Sequence, residues 1–243
     1  MKREITRWHS PELSREMPVV CWGHYGQPVL LFPTAGGDFL ECERFQLLAS
    51  LEPLIDAGRI KVYSTDSIAG EGWLNPDAPP WHKSWLQARY DAFIAQELCP
   101  FIKADCGDTT RRFVVAGASI GAYNAVNVAT KHPEWFETTL AMSGTYAFDR
   151  WMDGHRDDNY YFNMPLLFLP NLGEGPQLDG LRRSFFLLAT GTGRYEAPWE
   201  TDWIAGVLAQ KGIPHRVEKW GPDAHHDWPT WRTMLPLFLE RVL

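Results

Sequence analysis

Residues 112–133, RFVVAGASIGAYNAVNVATKHP, run without interruption from a β-branched and aromatic stretch through a turn of small residues into a helical pattern closed by Pro133. A strand that feeds directly into a helix is the building unit of a parallel sheet, because parallel neighbours need a crossover that a two-residue hairpin cannot supply. The same succession recurs along the chain. Short apolar runs at 28–32 (PVLLF), 60–64 (IKVYS), 112–116 (RFVVA), 138–142 (TTLAM), 185–189 (FFLLA) and 215–219 (HRVEK) read as strands, most of them of the type buried on both faces. Ahead of them, residues 4–8 and 17–22 flank the turn around Ser10-Pro11 and are expected to form an antiparallel edge. Helices are expected over 43–57, 85–104, 121–131, 201–211 and 229–243, with Gly58 and Gly212 placed as the glycines that end two of them. The expected fold class is therefore α/β: a mostly parallel central sheet of about eight strands with helices on both faces. The whole span 1–243 is expected to form one domain. The long connections 66–84 and 144–182 are candidate lids or pocket walls.

Bulk properties narrow the function classes. A composition 45% hydrophobic and 22% charged belongs to an ordinary folded domain, and a net charge of −7 with both signs interspersed offers no basic patch for a polynucleotide. No run approaches the ~18–20 apolar residues that cross a bilayer, so membrane insertion is not expected. The polar start, MKREITRWHSPELSREM, lacks the apolar core of an export signal, and the four cysteines contain no CxxC pair. These features together lead to an expectation of cytoplasmic location and reduced thiols.

Ser119 lies in Gly117-Ala-Ser-Ile-Gly121 at the junction of the strand and helix patterns. A tight turn there forces the serine into a strained conformation and brings backbones so close that small flanking residues are required. It also aims a helix N-terminus at the serine oxygen, where the Ile120 N–H can meet a developing oxyanion. The competing explanation is an inert serine in a glycine-lined turn. A serine hydroxyl needs a histidine to take its proton and usually a carboxylate to orient that histidine. Of the eight histidines, His132, His155, His215, His225 and His226 follow Ser119. His132 closes the helix beside the serine, His155 sits in a polar loop and His215 opens a strand. The remaining pair, in GPDAHHDWPTWR, stands between the last strand and the last helix, and His226 is the first choice with His225 the alternative. For the acid, the loop ATGTGRYEAPWETDW offers Glu196, Glu200 and Asp202. Glu196 follows the strand soonest, whereas the other two are readily explained as acids in the first turn of a helix. Asp66 precedes the serine and is expected in a structural or substrate-contact role. The turn PTAGGDF after the strand at 28–32 supplies Ala35, with Thr34 as alternative, for a second oxyanion donor.

These residues resemble the esterase branch of the α/β-hydrolase superfamily, which includes S-formylglutathione hydrolase, enterochelin esterase and the mycolyltransferases. The resemblance covers nearly the whole chain. It runs through YGQPVLLFPTAGGDF, LEPLIDAGRIKVYSTDS, RYDAFIAQELCPFI, VAGASIGAYNAVNVATKHPEWFETTLAMSG and GIPHRVEKWGPDAHHDWPTWRTML. It implies Ser119 as nucleophile, Ile120 as oxyanion donor and, as the histidine directly before Asp-Trp, His226 as base. At the acid the chain departs from the pattern: relatives often carry Asp in Gly-x-x-Asp, where this sequence reads Gly-Thr-Gly-Arg-Tyr-Glu. The implied reaction is hydrolysis of a small or medium acyl ester or thioester through an acyl-serine. The alternatives are an acyltransferase using the same triad and a non-catalytic binding protein on this fold.

Twelve tryptophans are many for 243 residues, and Trp73, Trp151 and Trp228 are the candidates for an aromatic acyl pocket, although tryptophans also pack loops onto sheets. No phosphate loop, dinucleotide fingerprint or HExxH motif occurs, so neither cofactor nor metal is expected. The expected partner is a small-molecule ester, with a homo-oligomer left open.

Overall fold

The computed structural model describes residues 1–108 and 110–243. The chain opens with a hairpin, β1 (Arg3–Ser10) and β2 (Arg15–Trp22), followed by β3 (Gln27–Phe32), β4 (Ile60–Thr65), β5 (Phe113–Ala118), β6 (Phe136–Met142), β7 (Phe185–Thr190) and β8 (His215–Lys219). All eight join one sheet in the order β1-β2-β4-β3-β5-β6-β7-β8. β2 pairs antiparallel with β1 and with β4, and every later pairing is parallel. The expected antiparallel edge is thus present. Every residue of β4 and β5 is buried, which explains why they read as continuous apolar runs, whereas edge strand β1 leaves most of its residues exposed.

Helices cover both faces, as expected. On one side α3 (Pro80–Phe93), α4 (Cys99–Cys106), α5 (Ile120–Lys131) and α9 (Pro198–Gln210) bury residues such as Tyr90, Phe93, Ile102, Tyr123 and Leu208. On the other, α2 (Leu47–Asp56) and α10 (Trp228–Val242) contribute Leu48, Leu51, Ile55, Met234, Leu235 and Phe238. Gly58 and Gly212 both adopt φ of +65°, the left-handed conformation that lets the chain leave a helix.

Two expectations are corrected. The helix expected over 43–57 is two, α1 (Glu41–Arg44) and α2, parted by Gln46 at φ +62°. The helix expected over 85–104 begins earlier, at Pro80, and widens into a π turn at Ile94–Leu98. The widening sits just before Pro100, which has no N–H to return to the carbonyl four residues back. The connection 144–182 carries α6 (Asp158–Phe162), α7 (Pro165–Phe168) and α8 (Pro176–Leu181) with short 3₁₀ turns. The four cysteines are free. Among the described residues no helix is long and apolar enough to cross a membrane.

Candidate active site

β5 delivers Ser119 at the carboxyl edge of the sheet. The serine has φ +58° and ψ −124°, a strained combination for a side chain with a Cβ, and directly precedes the first residue of α5. Its backbone is tied down from the neighbouring strand: Ser119 N–H donates to Met142 O at 3.0 Å, and its carbonyl accepts from Thr145 N–H at 3.3 Å. Both glycines of the turn are sterically required. A Cβ on Gly117 would stand 2.3 Å from the backbone of Gly121, and one on Gly121 would stand 2.5 Å from Pro33 O. The second contact presses the start of α5 against the end of β3, where the loop carrying Thr34 and Ala35 begins.

That loop is organised by Glu41, which the sequence reading did not single out. The Glu41 carboxylate is buried and accepts from Thr34 N–H at 2.7 Å and from Thr34 Oγ1 at 2.9 Å. Burial pushes its pKa up, against the pull of those two bonds. The Thr34 N–H is engaged by Glu41, whereas the Ala35 N–H makes no hydrogen bond among the described residues and the Ala35 carbonyl accepts from Ser67 Oγ at 2.7 Å. The Ile120 N–H is the first of α5, where no helical carbonyl is available to it. Asp66 accepts the Phe39 N–H at 2.9 Å. A recess of about 190 Å³ opens beside Gly36 and Gly37, walled by Arg15, Glu16, Asp38, Asp66, Ser67 and Glu71.

The loops after β7 and β8, which carry Glu196 and His226, are laced together. Gly193 N–H donates to Ala224 O at 3.0 Å, Arg194 N–H to His225 Nδ1 at 3.0 Å, and His226 N–H to Arg194 O at 3.0 Å. Gly193 permits the approach, because a Cβ there would lie 2.1 Å from His225 Nδ1. His225 therefore spends a ring nitrogen on joining the loops. The His226 ring is half-buried and meets Trp231 edge-on, with centroids 5.2 Å apart. Burial pushes the His226 pKa below the ordinary histidine value, and the charges of Glu196, Glu200 and Asp227 oppose that shift. Among the described residues neither Ser119 Oγ nor Glu196 is hydrogen-bonded to the His226 ring.

The three candidate acids occupy different environments. Glu196 accepts from Ser143 Oγ at 2.6 Å and from Thr190 Oγ1 at 2.9 Å. Glu200 is only 2% exposed and accepts the backbone N–H groups of Tyr146 and Ala147, the latter at 2.8 Å, so it braces the segment after β6. Asp202 is on the surface, paired with Lys219 at 2.8 Å.

The tryptophans divide as well. Trp73 is seated in the core, 1% exposed, with its Nε1–H donated to Gln87 and its ring edge-on to Tyr123, Phe148 and Tyr160. Buried on all sides in this way, it forms no open pocket wall. Trp151 is half-buried against Phe148 beneath the Arg150 guanidinium. Trp228, two residues past His226, is also half-buried and stacks on Phe45 with ring planes 4° apart. Ser143 and Thr190 escaped the sequence reading, since lone hydroxyls carry no periodic signal. Among the described residues no cluster of metal-ligating side chains occurs.

A strained strand-to-helix serine at the head of a helix, with a histidine loop after the last strand, is the arrangement of serine hydrolases of the α/β-hydrolase fold. Residues 73–241 match the model of the esterase family described as "Putative esterase". The chain belongs to this family of carboxylic ester hydrolases. Comparison with curated proteins finds no match. Among solved structures, the fold is similar to a ferulic acid esterase (TM-score 0.74, 17% identity, 100% of this chain and 98% of that one). It is also similar to an S-formylglutathione hydrolase from Agrobacterium tumefaciens (TM-score 0.71, 15% identity, 98% and 93%). A third likeness is to a fluorophosphonate-binding serine hydrolase of Staphylococcus aureus (TM-score 0.69, 15% identity, 99% and 97%).

Proposed function

We propose that the protein hydrolyses esters or thioesters of small or medium acyl groups through an acyl-enzyme on Ser119. The observation that carries this reading is the conformation of Ser119, held at φ +58° by a glycine-flanked turn at the head of α5. Strain of that kind persists where the surrounding structure imposes it, and a nucleophile presented to backbone N–H donors is a use that accounts for it. His226 takes the serine proton as Oγ attacks the carbonyl carbon. Ile120 N–H and Ala35 N–H receive the oxyanion, and Glu196 supplies the charge that steadies the imidazolium. On collapse of the tetrahedral intermediate the proton on His226 passes to the leaving alcohol or thiol. Water, deprotonated by the same histidine, then releases the acid and restores Ser119. His226 suits the role because burial keeps its pKa low, leaving the ring neutral and able to accept a proton near pH 7. His225 is the weaker candidate, its Nδ1 already bonded to the Arg194 N–H.

Trp228 and Trp151 are offered as aromatic contacts for the substrate, flanking the histidine segment and the connection after β6. The single chain 1–243 acting as one domain, with no cofactor, completes the proposal. The test is steady-state hydrolysis of activated esters of graded acyl length by wild type and Ser119→Ala. The reading predicts turnover by wild type and its loss in the variant; turnover retained in Ser119→Ala, with background hydrolysis subtracted, contradicts it.

A further inference from the structure

Ser143 occupies the position on β6 that matches Ser119 on the neighbouring β5: it directly follows the strand and adopts a left-handed backbone, with φ +49°. Unlike Ser119 it is only 3% exposed, so no substrate reaches it. Its N–H donates to Ala189 O at 2.7 Å on β7, while the preceding residue, Met142, accepts the Ser119 N–H. Its hydroxyl has a donor and an acceptor role at once. Oγ donates to Glu196 Oε1 at 2.6 Å and accepts from Trp231 Nε1–H at 3.0 Å. Trp231 is in turn the ring that His226 meets edge-on. One buried hydroxyl therefore touches both the acid and the wall behind the base.

We propose that Ser143 is a positioning residue of the acid–base arm: its hydroxyl, locked between Trp231 and Glu196, sets the Glu196 carboxylate. The inference rests on the catalytic reading of Glu196 and His226 above. The Trp231 indole supplies the only polar atom of that side chain and commits the Ser143 lone pair, so the Ser143 hydrogen points at Glu196. Thr190 holds the other carboxylate oxygen, and removing Ser143 leaves Glu196 fixed at one oxygen only. The left-handed backbone gives the hydroxyl its direction, and a residue with a Cβ is kept in that conformation although glycine would adopt it more readily.

The experiment is a double-mutant cycle on ester hydrolysis with Ser143→Gly, Glu196→Gln and the pair. Glycine accommodates φ +49°, so a role confined to backbone shape predicts a folded Ser143→Gly enzyme with wild-type kcat. The positioning role predicts that kcat falls about tenfold or more, the size expected for losing a hydrogen bond to a charged group, with KM little changed. In the Glu196→Gln background the Ser143→Gly change is expected to cost less than twofold further, because Ser143 acts through the carboxylate. Ser143→Cys, which keeps a weak donor of similar size, is expected to recover part of the rate and serves in place of glycine should the latter fail to fold. Wild-type kcat in Ser143→Gly, or losses that multiply in the pair, overturns the proposal. Full activity of Glu196→Gln itself removes instead the reading of Glu196 as the acid, so the two failures are told apart.

Discussion

Gly37→Ala perturbs the oxyanion loop at a point where the geometry permits a magnitude. The new Cβ would stand 2.3 Å from the Glu41 carboxyl carbon and 2.4 and 2.5 Å from its oxygens, so the carboxylate must leave its place. Leaving breaks two hydrogen bonds, to Thr34 N–H at 2.7 Å and to Thr34 Oγ1 at 2.9 Å. Hydrogen bonds to a charged group contribute roughly 1.5–3 kcal/mol each, and a carboxylate moving toward water recovers part of its burial cost, so the net loss is about 2–4 kcal/mol. For a chain of this size that lowers Tm by roughly 5–15 °C. The functional consequence is separate: Thr34 released from Glu41 lets the adjacent Ala35 N–H drift from the oxyanion, and losing one such donor costs about 10²–10³ in kcat. The assay pairs thermal melts with ester-hydrolysis kinetics on Gly37→Ala, Glu41→Ala and the double variant. With the Glu41 side chain absent the added methyl has room, so the double variant is expected to match Glu41→Ala in stability. A kcat within twofold of wild type in a destabilised Gly37→Ala protein would refute Ala35 as an oxyanion donor, and an unchanged Tm would refute the steric argument.

Other consequences concern charge. At His132 burial opposes the charged ring, but the hydrogen bonds to Asp91 and the nearby carboxylates of Glu134 and Asp91 prevail and push its pKa from 6.5 up to about 9. A raised pKa stabilises the fold fully below about pH 6.5 and ceases to do so as pH rises through about 9, a change of about 3 kcal/mol. Denaturant unfolding of wild type and His132→Gln from pH 6 to 10 should show the stability gap closing over that window; a gap independent of pH would contradict it. Because acylation needs neutral His226 and burial lowers its pKa, the acid limb of kcat/KM is expected below the usual histidine value, ~6.5. Glu196→Gln removes a charge that favours the imidazolium and should move that limb lower still while reducing kcat; an unmoved limb would count against the pairing. Glu200→Gln should act chiefly on stability, since Glu200 holds the Tyr146 and Ala147 amides, and a loss of kcat equal to that of Glu196→Gln in a stable protein would reverse the assignment of the acid.

What the sequence disclosed follows from how locally each feature is determined. The turn at Ser119 was legible because Gly117, Ser119 and Gly121 are each demanded by contacts within a few residues or with the strand alongside. Buried strands were legible as apolar runs, and β8 was located to the residue. The break between α1 and α2 was not, because it serves a distant need: Glu41 reaches back to Thr34 while α2 packs on the sheet, and tertiary contacts override the helical pattern there. The short helices after β6 were hidden by proline, glycine and polar residues that also compose loops. Glu196 was chosen by its distance from a strand end, but its partners Ser143 and Thr190 come from the ends of β6 and β7, and only the sheet order makes them neighbours.

The account stands on Ser119 as an activated nucleophile. Intact-mass analysis of the folded protein after incubation with a fluorophosphonate, followed by peptide mapping and with heat-unfolded protein as control, measures this directly. The account predicts a single adduct on Ser119, absent from the unfolded control and from Ser119→Ala. No adduct on folded protein, or an adduct elsewhere that persists in Ser119→Ala, would contradict it.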